Sequence, residues 1–195
     1  MSTVTIITTC YNPGAGLKKT LDSVLRQDYD DFEYIIEDSA SIDGTKDLVA
    51  LYAEKFKEKG IPFYFYSEKD TGIYDGMNRA VKRAHGLFIN FMNADDIFYN
   101  KHVLSNIFSK KSIDNYDLIY GDCVEEEFGK YYYFPKDFSK IRTKMPFSHQ
   151  SVFVKKEHLE AFPFKTSLRI GADYDFLLNC YDNELSFYDC GNIVT

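Results

Sequence analysis

The stretch IYDGMNRAVKRAHGLFINFMNADD, residues 73–96, holds two periodicities and one abrupt change of chemistry. Ile73, Met77, Ala80, Val81 and Ala84 recur at helical spacing and predict a helix over Ile73–Ala84. Leu87–Met92 is then a near-continuous apolar run of strand length, the signature of a strand covered on both faces. It ends in Asn93-Ala94-Asp95-Asp96, so polar and acidic groups are delivered at the exit of a buried strand.

The same alternation extends outward. Val4–Thr9 is a β-branched strand, followed by turn chemistry at Asn12-Pro13-Gly14 and a helix with Leu17, Leu21, Val24 and Leu25 on one face. Phe32–Ile36 predicts a second strand ending at Asp38, Gly44–Phe56 a second helix, and Pro62–Tyr66 a third strand. A helix near His102–Phe108 and a strand at Leu118–Tyr120 follow. This β-α-β-α rhythm predicts an α/β chain with a mostly parallel sheet and helices on both faces.

Beyond about residue 122 the rhythm breaks. Glu125–Phe134 is acidic and then aromatic and predicts a hairpin or a mobile loop. Ser151–Val154 predicts a strand, Tyr174–Tyr181 a helix, and Leu185–Val194 a last strand with no closing element, which implies a chain short of its natural C-terminus. With 195 residues there is room for one core with a small appendage.

A formal net charge of −7 and no basic stripe argue against nucleic-acid binding. Cys10, Cys123, Cys180 and Cys190 form no CxxC pair, so neither a zinc ribbon nor a dense disulfide framework is expected. Reduced thiols in a cytosolic protein are the expectation, with no signal peptide and no membrane-spanning run.

In an open parallel sheet, ligands bind beyond the carboxyl ends of the strands. The groups there are Thr9 and Tyr11, Asp38, Glu68–Asp70, and Asn93, Asp95 and Asp96. Carboxylates gathered in one crevice repel unless a cation offsets them. A hard ion such as Mg²⁺ or Mn²⁺ takes one or two protein carboxylates and fills its shell with phosphate oxygens and water. Helix capping is the competing account of the Asp95-Asp96 pair, and Asp43 reads as a cap for the second helix.

The runs Val4–Asn12, Asp38–Thr45 and Asn93–Asp96, in that order, resemble the family 2 glycosyltransferases of the GT-A fold, a Rossmann-like sheet with a small acceptor-side region. Ser67–Ala80 looks like the bacterial subgroup that builds surface polysaccharides, and His149-Gln150 and Ala172–Asp175 complete the match. The resemblance implies one continuous domain, with a nucleotide-sugar half (1–121) and an acceptor-side region carrying the catalytic base (122–195). It implies inverting transfer from a nucleotide-diphosphate sugar, with UDP the expected carrier, to a saccharide or lipid-linked saccharide. A cytoplasmic site at the inner membrane face and peripheral membrane association follow from such an acceptor.

By the same resemblance Tyr11 stacks on the donor base beside Thr9, and Asp38 accepts a hydrogen bond from it. Asp95 ligates Mn²⁺ or Mg²⁺, and Asp173 is the general base. Arg79 contacts the phosphates or Asp38, or is a solvated helix charge, and His149 touches acceptor or phosphate. Asn93 stands where the family opens its motif with Asp, and Ser39-Ala40 stand where Asp-Gly is common. Helical spacing adds an independent argument: Asp173 shares a face with Phe176 and Leu177, while Asp175 lies about 200° round the helix.

Three other readings compete. A dinucleotide oxidoreductase needs a third glycine that Gly14-Ala15-Gly16-Leu17-Lys18-Lys19 lacks. A nucleotidyltransferase needs a Gly-rich basic loop after the first strand. The third is a catalytically inactive nucleotide-sugar-binding domain.

Overall fold

A computed structural model of the chain describes residues 3–110, 113–127 and 129–195. Met1, Ser2, Lys111, Ser112 and Phe128 lie outside the described residues, the last of them within the expected 125–134 segment.

The order of elements is β1 (Val4–Cys10), α1 (Gly16–Leu25), β2 (Phe32–Asp38), α2 (Thr45–Glu58), β3 (Phe63–Ser67), α3 (Ile73–Arg83), β4 (Phe88–Phe91) and α4 (Val103–Phe108). Then come β5 (Leu118–Glu127), β6 (Lys130–Phe134), β7 (Val152–Lys155), α5 (Lys156–Ala161), α6 (Ala172–Asp182) and β8 (Phe187–Ile193). The strands form one sheet in the order β3-β2-β1-β4-β7-β5-β6, with β8 also paired to β5. β1 to β4 run parallel, and β8 runs parallel to β5.

The sequence reading of four parallel strands agrees with this sheet, and the later half adds what local pattern does not carry. β7 inserts antiparallel between β4 and β5, and α5 was not anticipated; of the two expectations for 125–134 the hairpin is the one found, β5 running on to Glu127 and pairing with β6. β5 also runs across residue 121, so both halves of the chain share one sheet.

Two apolar layers enclose the sheet. α1, α2 and α4 pack Leu17, Leu21, Tyr52, Phe56 and Leu104 on one face. α3, α5 and α6 pack Met77, Val81, Leu159, Phe176 and Leu177 on the other. Burying side chains such as Met77 and Val81, each at most 3% exposed, stabilises the fold by about 1.5–3 kcal/mol apiece. β1 and β2 are buried almost end to end because both faces are covered, which is why they read as unbroken apolar or β-branched runs. At Gly86, between α3 and β4, a Cβ would meet the Thr5 amide nitrogen at 2.5 Å, so only glycine lets that turn close onto β1.

Candidate active site

The carboxyl ends of β1, β2 and β3 and the start of α3 surround a cleft of about 650 Å³, lined by Thr9, Cys10, Tyr11, Ser39, Ala40, Lys69, Asp70, Gly72 and Ile73. Tyr11 stands at it 67% exposed, a large ring not committed to the core. Asn12 ties two walls together: its amide donates to Ser41 Oγ (2.7 Å), and its Oδ1 accepts from the Ile42 amide (2.9 Å). Ala40 sits at φ 57°, in the left-handed region that favours glycine. Asp43 accepts from the Thr45 hydroxyl (2.6 Å) and the Gly14 amide (2.8 Å), a cap-like use of its carboxylate.

Asp38 lies beneath this cleft, 2% exposed. Its oxygens accept from the Ser41 amide (3.0 Å), the Ser41 hydroxyl and the Ser67 hydroxyl (2.6 Å). The Asp38 carboxylate therefore ties the exits of β2 and β3 into one floor. Beside it, burial and then the Asp38 charge push the Cys10 thiol far above its usual range, which favours the protonated thiol.

The reading that Arg79 reaches Asp38 is corrected here. Arg79 donates to the Lys69 carbonyl (3.0 Å) and to Asp75 (2.8 Å), bracing the loop that carries Lys69 and Asp70. The arginine that meets a buried β2 carboxylate is Arg83, which forks onto Glu37 at 2.6 and 2.8 Å. Burial raises the Glu37 carboxyl and Arg83 opposes it.

At the exit of β4, Asn93 faces inward, and its Oδ1 accepts from Thr9 Oγ1 (2.8 Å). Asp95 turns outward at φ 84°, its amide donating to Thr20 Oγ1 (2.9 Å) and its carboxylate meeting Lys19 Nζ (2.7 Å). A Cβ on Gly16 would stand 3.0 Å from Asp95 Cβ, so a glycine opens α1 where this turn crosses it. Asp96 is half-buried; burial pushes its carboxyl up, while the Gln150 side chain opposes that.

Asp95, exposed and paired with Lys19, is an oxygen donor of the kind Mg²⁺ or Mn²⁺ takes when phosphates and water complete the shell, and Asp96 follows it in the chain. Among the described residues one tight His/carboxylate group occurs elsewhere: Asp117, Glu157 and His158, at the N-terminal end of β5. There Asp117 is already held by Ser186 and His158.

The later half of the chain closes the site. A 3-10 turn at His149–Ser151 is pinned to β4 by Asn90, whose Nδ2 donates to the Gln150 and Val152 carbonyls (2.8 and 2.9 Å). That turn puts His149 Nε2 3.0 Å from Asn93 Nδ2 and His149 Nδ1 3.5 Å from Asp173 Oδ2. Asp173 begins α6 on the face it shares with Phe176 and Leu177, whereas Asp175 faces Lys165 (2.7 Å). The Tyr74 hydroxyl, on α3, donates to Asp173 Oδ1 (3.2 Å) and accepts from the Gly171 amide (3.0 Å).

Thr9, Asn93, His149 and Asp173 thus form one continuous chain of contacts, Arg79 and Asp38 buttress the cleft, and Asp95 stands at the exit of β4 beside Lys19. Tyr74, Asn90, Lys19 and the Arg83–Glu37 pair were not singled out from sequence. Tyr74 alone carried a usable signal, standing in the first turn of the helix expected after the third strand.

A cleft at the carboxyl edge of a mostly parallel sheet is where ligands bind in open α/β folds. The chain superposes on S. aureus TarS with a TM-score of 0.76 and 21% identity, covering 100% of this chain and 59% of that one. It superposes on the mannosyltransferase PcManGT from Pyrobaculum calidifontis, in complex with GDP-Man and Mn²⁺, with a TM-score of 0.77 and 22% identity, over 98% and 56% of the two chains. The fold is the GT-A fold.

The description "Glycosyl transferase family 2" matches residues 5–175, and the chain belongs to that family. It is 31% identical over 180 residues to the PGL/p-HBAD biosynthesis glycosyltransferase of Mycobacterium bovis, covering 91% of this chain and 69% of that protein. Among the described residues no helix is long and apolar enough to cross a membrane.

Proposed function

We propose that the chain transfers a sugar, with inversion, from a UDP-sugar to a hydroxyl of a saccharide or lipid-linked saccharide in surface-polysaccharide synthesis. The observation that carries this reading is Asp173: a carboxylate accepting one hydrogen bond, linked through His149 and Asn93 to Thr9 in the nucleotide cleft. Residues 1–121 bind the donor and 122–195 face the acceptor. A lipid-linked acceptor would put the work at the cytoplasmic membrane face.

The chemistry is a single displacement. The acceptor oxygen bonds to the anomeric carbon, the bond to the diphosphate oxygen breaks, and the hydroxyl proton passes to Asp173. General-base help of this kind is worth roughly 10²- to 10⁴-fold. Tyr11 offers its exposed ring to the base, and Ser39 and Ala40 shape the wall against it. Asp95, with Asp96 behind it, would hold Mn²⁺ or Mg²⁺, which when bound neutralises charge gathering on the leaving diphosphate.

Support for the UDP donor comes from TarS, whose complex with UDP-GlcNAc has the same fold (TM-score 0.77). PcManGT carries GDP-Man, so the donor base is tested, not assumed. Incubation with UDP- and GDP-sugars and Mn²⁺, followed by NMR of the product's anomeric coupling, tests the whole reading. An inverted anomer made by the wild type and not by Asp173→Asn supports it. A retained anomer refutes it, and binding without turnover identifies the inactive binding domain.

A further inference from the structure

Asn93, at the exit of β4, has contacts that give its amide a consequence. A neutral imidazole has one donor and one acceptor nitrogen. The Nδ1 of His149 points at the Asp173 carboxylate, 3.5 Å away, and a bare ring nitrogen there would face a carboxylate lone pair. The proton therefore belongs on Nδ1, and Nε2 must accept. Its neighbour at 3.0 Å is the Asn93 side chain, which has a donor to give only if its Nδ2 is turned that way. The other end is compatible with that orientation: the Thr9 hydroxyl, able to donate, meets Asn93 Oδ1 at 2.8 Å and leaves Nδ2 for His149.

We propose that Thr9, Asn93 and His149 form a one-way hydrogen-bond relay that holds His149 as its Nδ1–H tautomer and thereby aims the Asp173 carboxylate. His149 is a positioning residue in this account, and Asn93 is the tautomer selector. An aspartate at 93 could only accept, and the ring, flanked by two carboxylates, would be driven to carry a proton on both nitrogens. Rigidity comes from Asn90, fully buried, which clamps the 149–151 turn to β4 through two carbonyls. Tyr74 fixes the other carboxylate oxygen, so Asp173 is held from two sides. The functional half of this inference rests on Asp173 being the base.

The test is ¹⁵N NMR of histidine-labelled protein at pH 8, with the His149 signal assigned from His149→Gln. The expected ring has a protonated Nδ1 and a bare Nε2, and Asn93→Asp turns it towards the doubly protonated form. In turnover, His149→Phe lowers kcat by about 10- to 100-fold with donor KM changed little, the scale of a misaimed catalytic group. His149→Gln recovers most of that loss, because its Oε1 can accept from Asn93 while its Nε2 donates to Asp173. An Nε2–H ring in the wild type overturns the relay, and so does an undiminished kcat in His149→Phe. Asp173→Asn separates the two readings: retained turnover with an Nδ1–H ring removes the base assignment and leaves the relay standing.

Discussion

Two aspartate–histidine pairs sit at opposite ends of the same sheet. At the N-terminal end, Asp117 accepts from the Ser186 amide (2.8 Å), the Ser186 hydroxyl (2.6 Å) and His158 Nε2 (2.9 Å). At the carboxyl end, Asp173 accepts from Tyr74 at 3.2 Å, and His149 approaches to 3.5 Å. Side-chain exposure barely separates them, at 22% for Asp117 and 24% for Asp173. What differs is how many acceptor positions are taken. A carboxylate whose lone pairs are filled by its own fold is a clamp, and one left with open positions facing a cleft can take a proton from elsewhere.

The most severe break of this comparison is Asp173→Asn. Turnover should fall by roughly 10²- to 10⁴-fold, with the melting temperature and nucleotide affinity nearly unchanged, as read by steady-state kinetics and thermal shift. Asp95→Asn comes next. It should cut turnover on the order of 10²-fold and weaken the dependence on added Mn²⁺, since an ion's contribution is several kcal/mol.

Asp117→Asn should do the opposite of Asp173→Asn. Losing charge-assisted bonds costs about 1.5–3 kcal/mol, or roughly 4–8 °C in Tm, while kcat stays near wild type. Its pH signature is distinct. Burial acts to raise the Asp117 carboxyl, but hydrogen bonds from Ser186 and then His158 win and hold it well below the usual carboxylate range. Its stabilisation is therefore present above about pH 4, where the unfolded carboxylate is ionised, and is lost as pH falls towards the folded pKa. Melting curves from pH 7 to pH 2 should show that acid loss in the wild type and a flatter profile in Asp117→Asn.

Tyr11→Ala should weaken nucleotide binding by about 1–3 kcal/mol if its ring stacks on the base, with Tyr11→Phe near wild type by calorimetry. The smallest effect is expected from Ala40→Gly. Relieving a left-handed alanine should stabilise the protein by about 1 kcal/mol in chemical denaturation.

How much of this was legible in the chain follows the same division. β1, β2 and β4 were readable because doubly covered parallel strands must be apolar runs, and their polar ends mark the cleft without knowledge of tertiary contacts. The place of Asp173 was half readable: helical spacing gave its face, but its meeting with Tyr74, 99 residues away, depends on packing of α3 against α6. β7 was seen as a strand, yet its antiparallel insertion beside β4 is a non-local choice. Asp38 and Arg79 show a subtler gap. Sequence put Asp38 at the correct strand end but could not show that Ser41 and Ser67 would occupy its oxygens. Arg79 and Arg83 are one helical turn apart, and only the finished fold gives Glu37 to Arg83.

The central claim is that strand-end acidic groups gather a divalent cation and a nucleoside diphosphate in the cleft beside Tyr11. Calorimetric titration of UDP into the protein, with Mn²⁺ and then with EDTA, tests it most directly. The account predicts saturable heat with Mn²⁺ that is largely lost with EDTA and in Asp95→Asn. Heat that is unchanged by EDTA and by Asp95→Asn, or none for any nucleoside diphosphate, would contradict it.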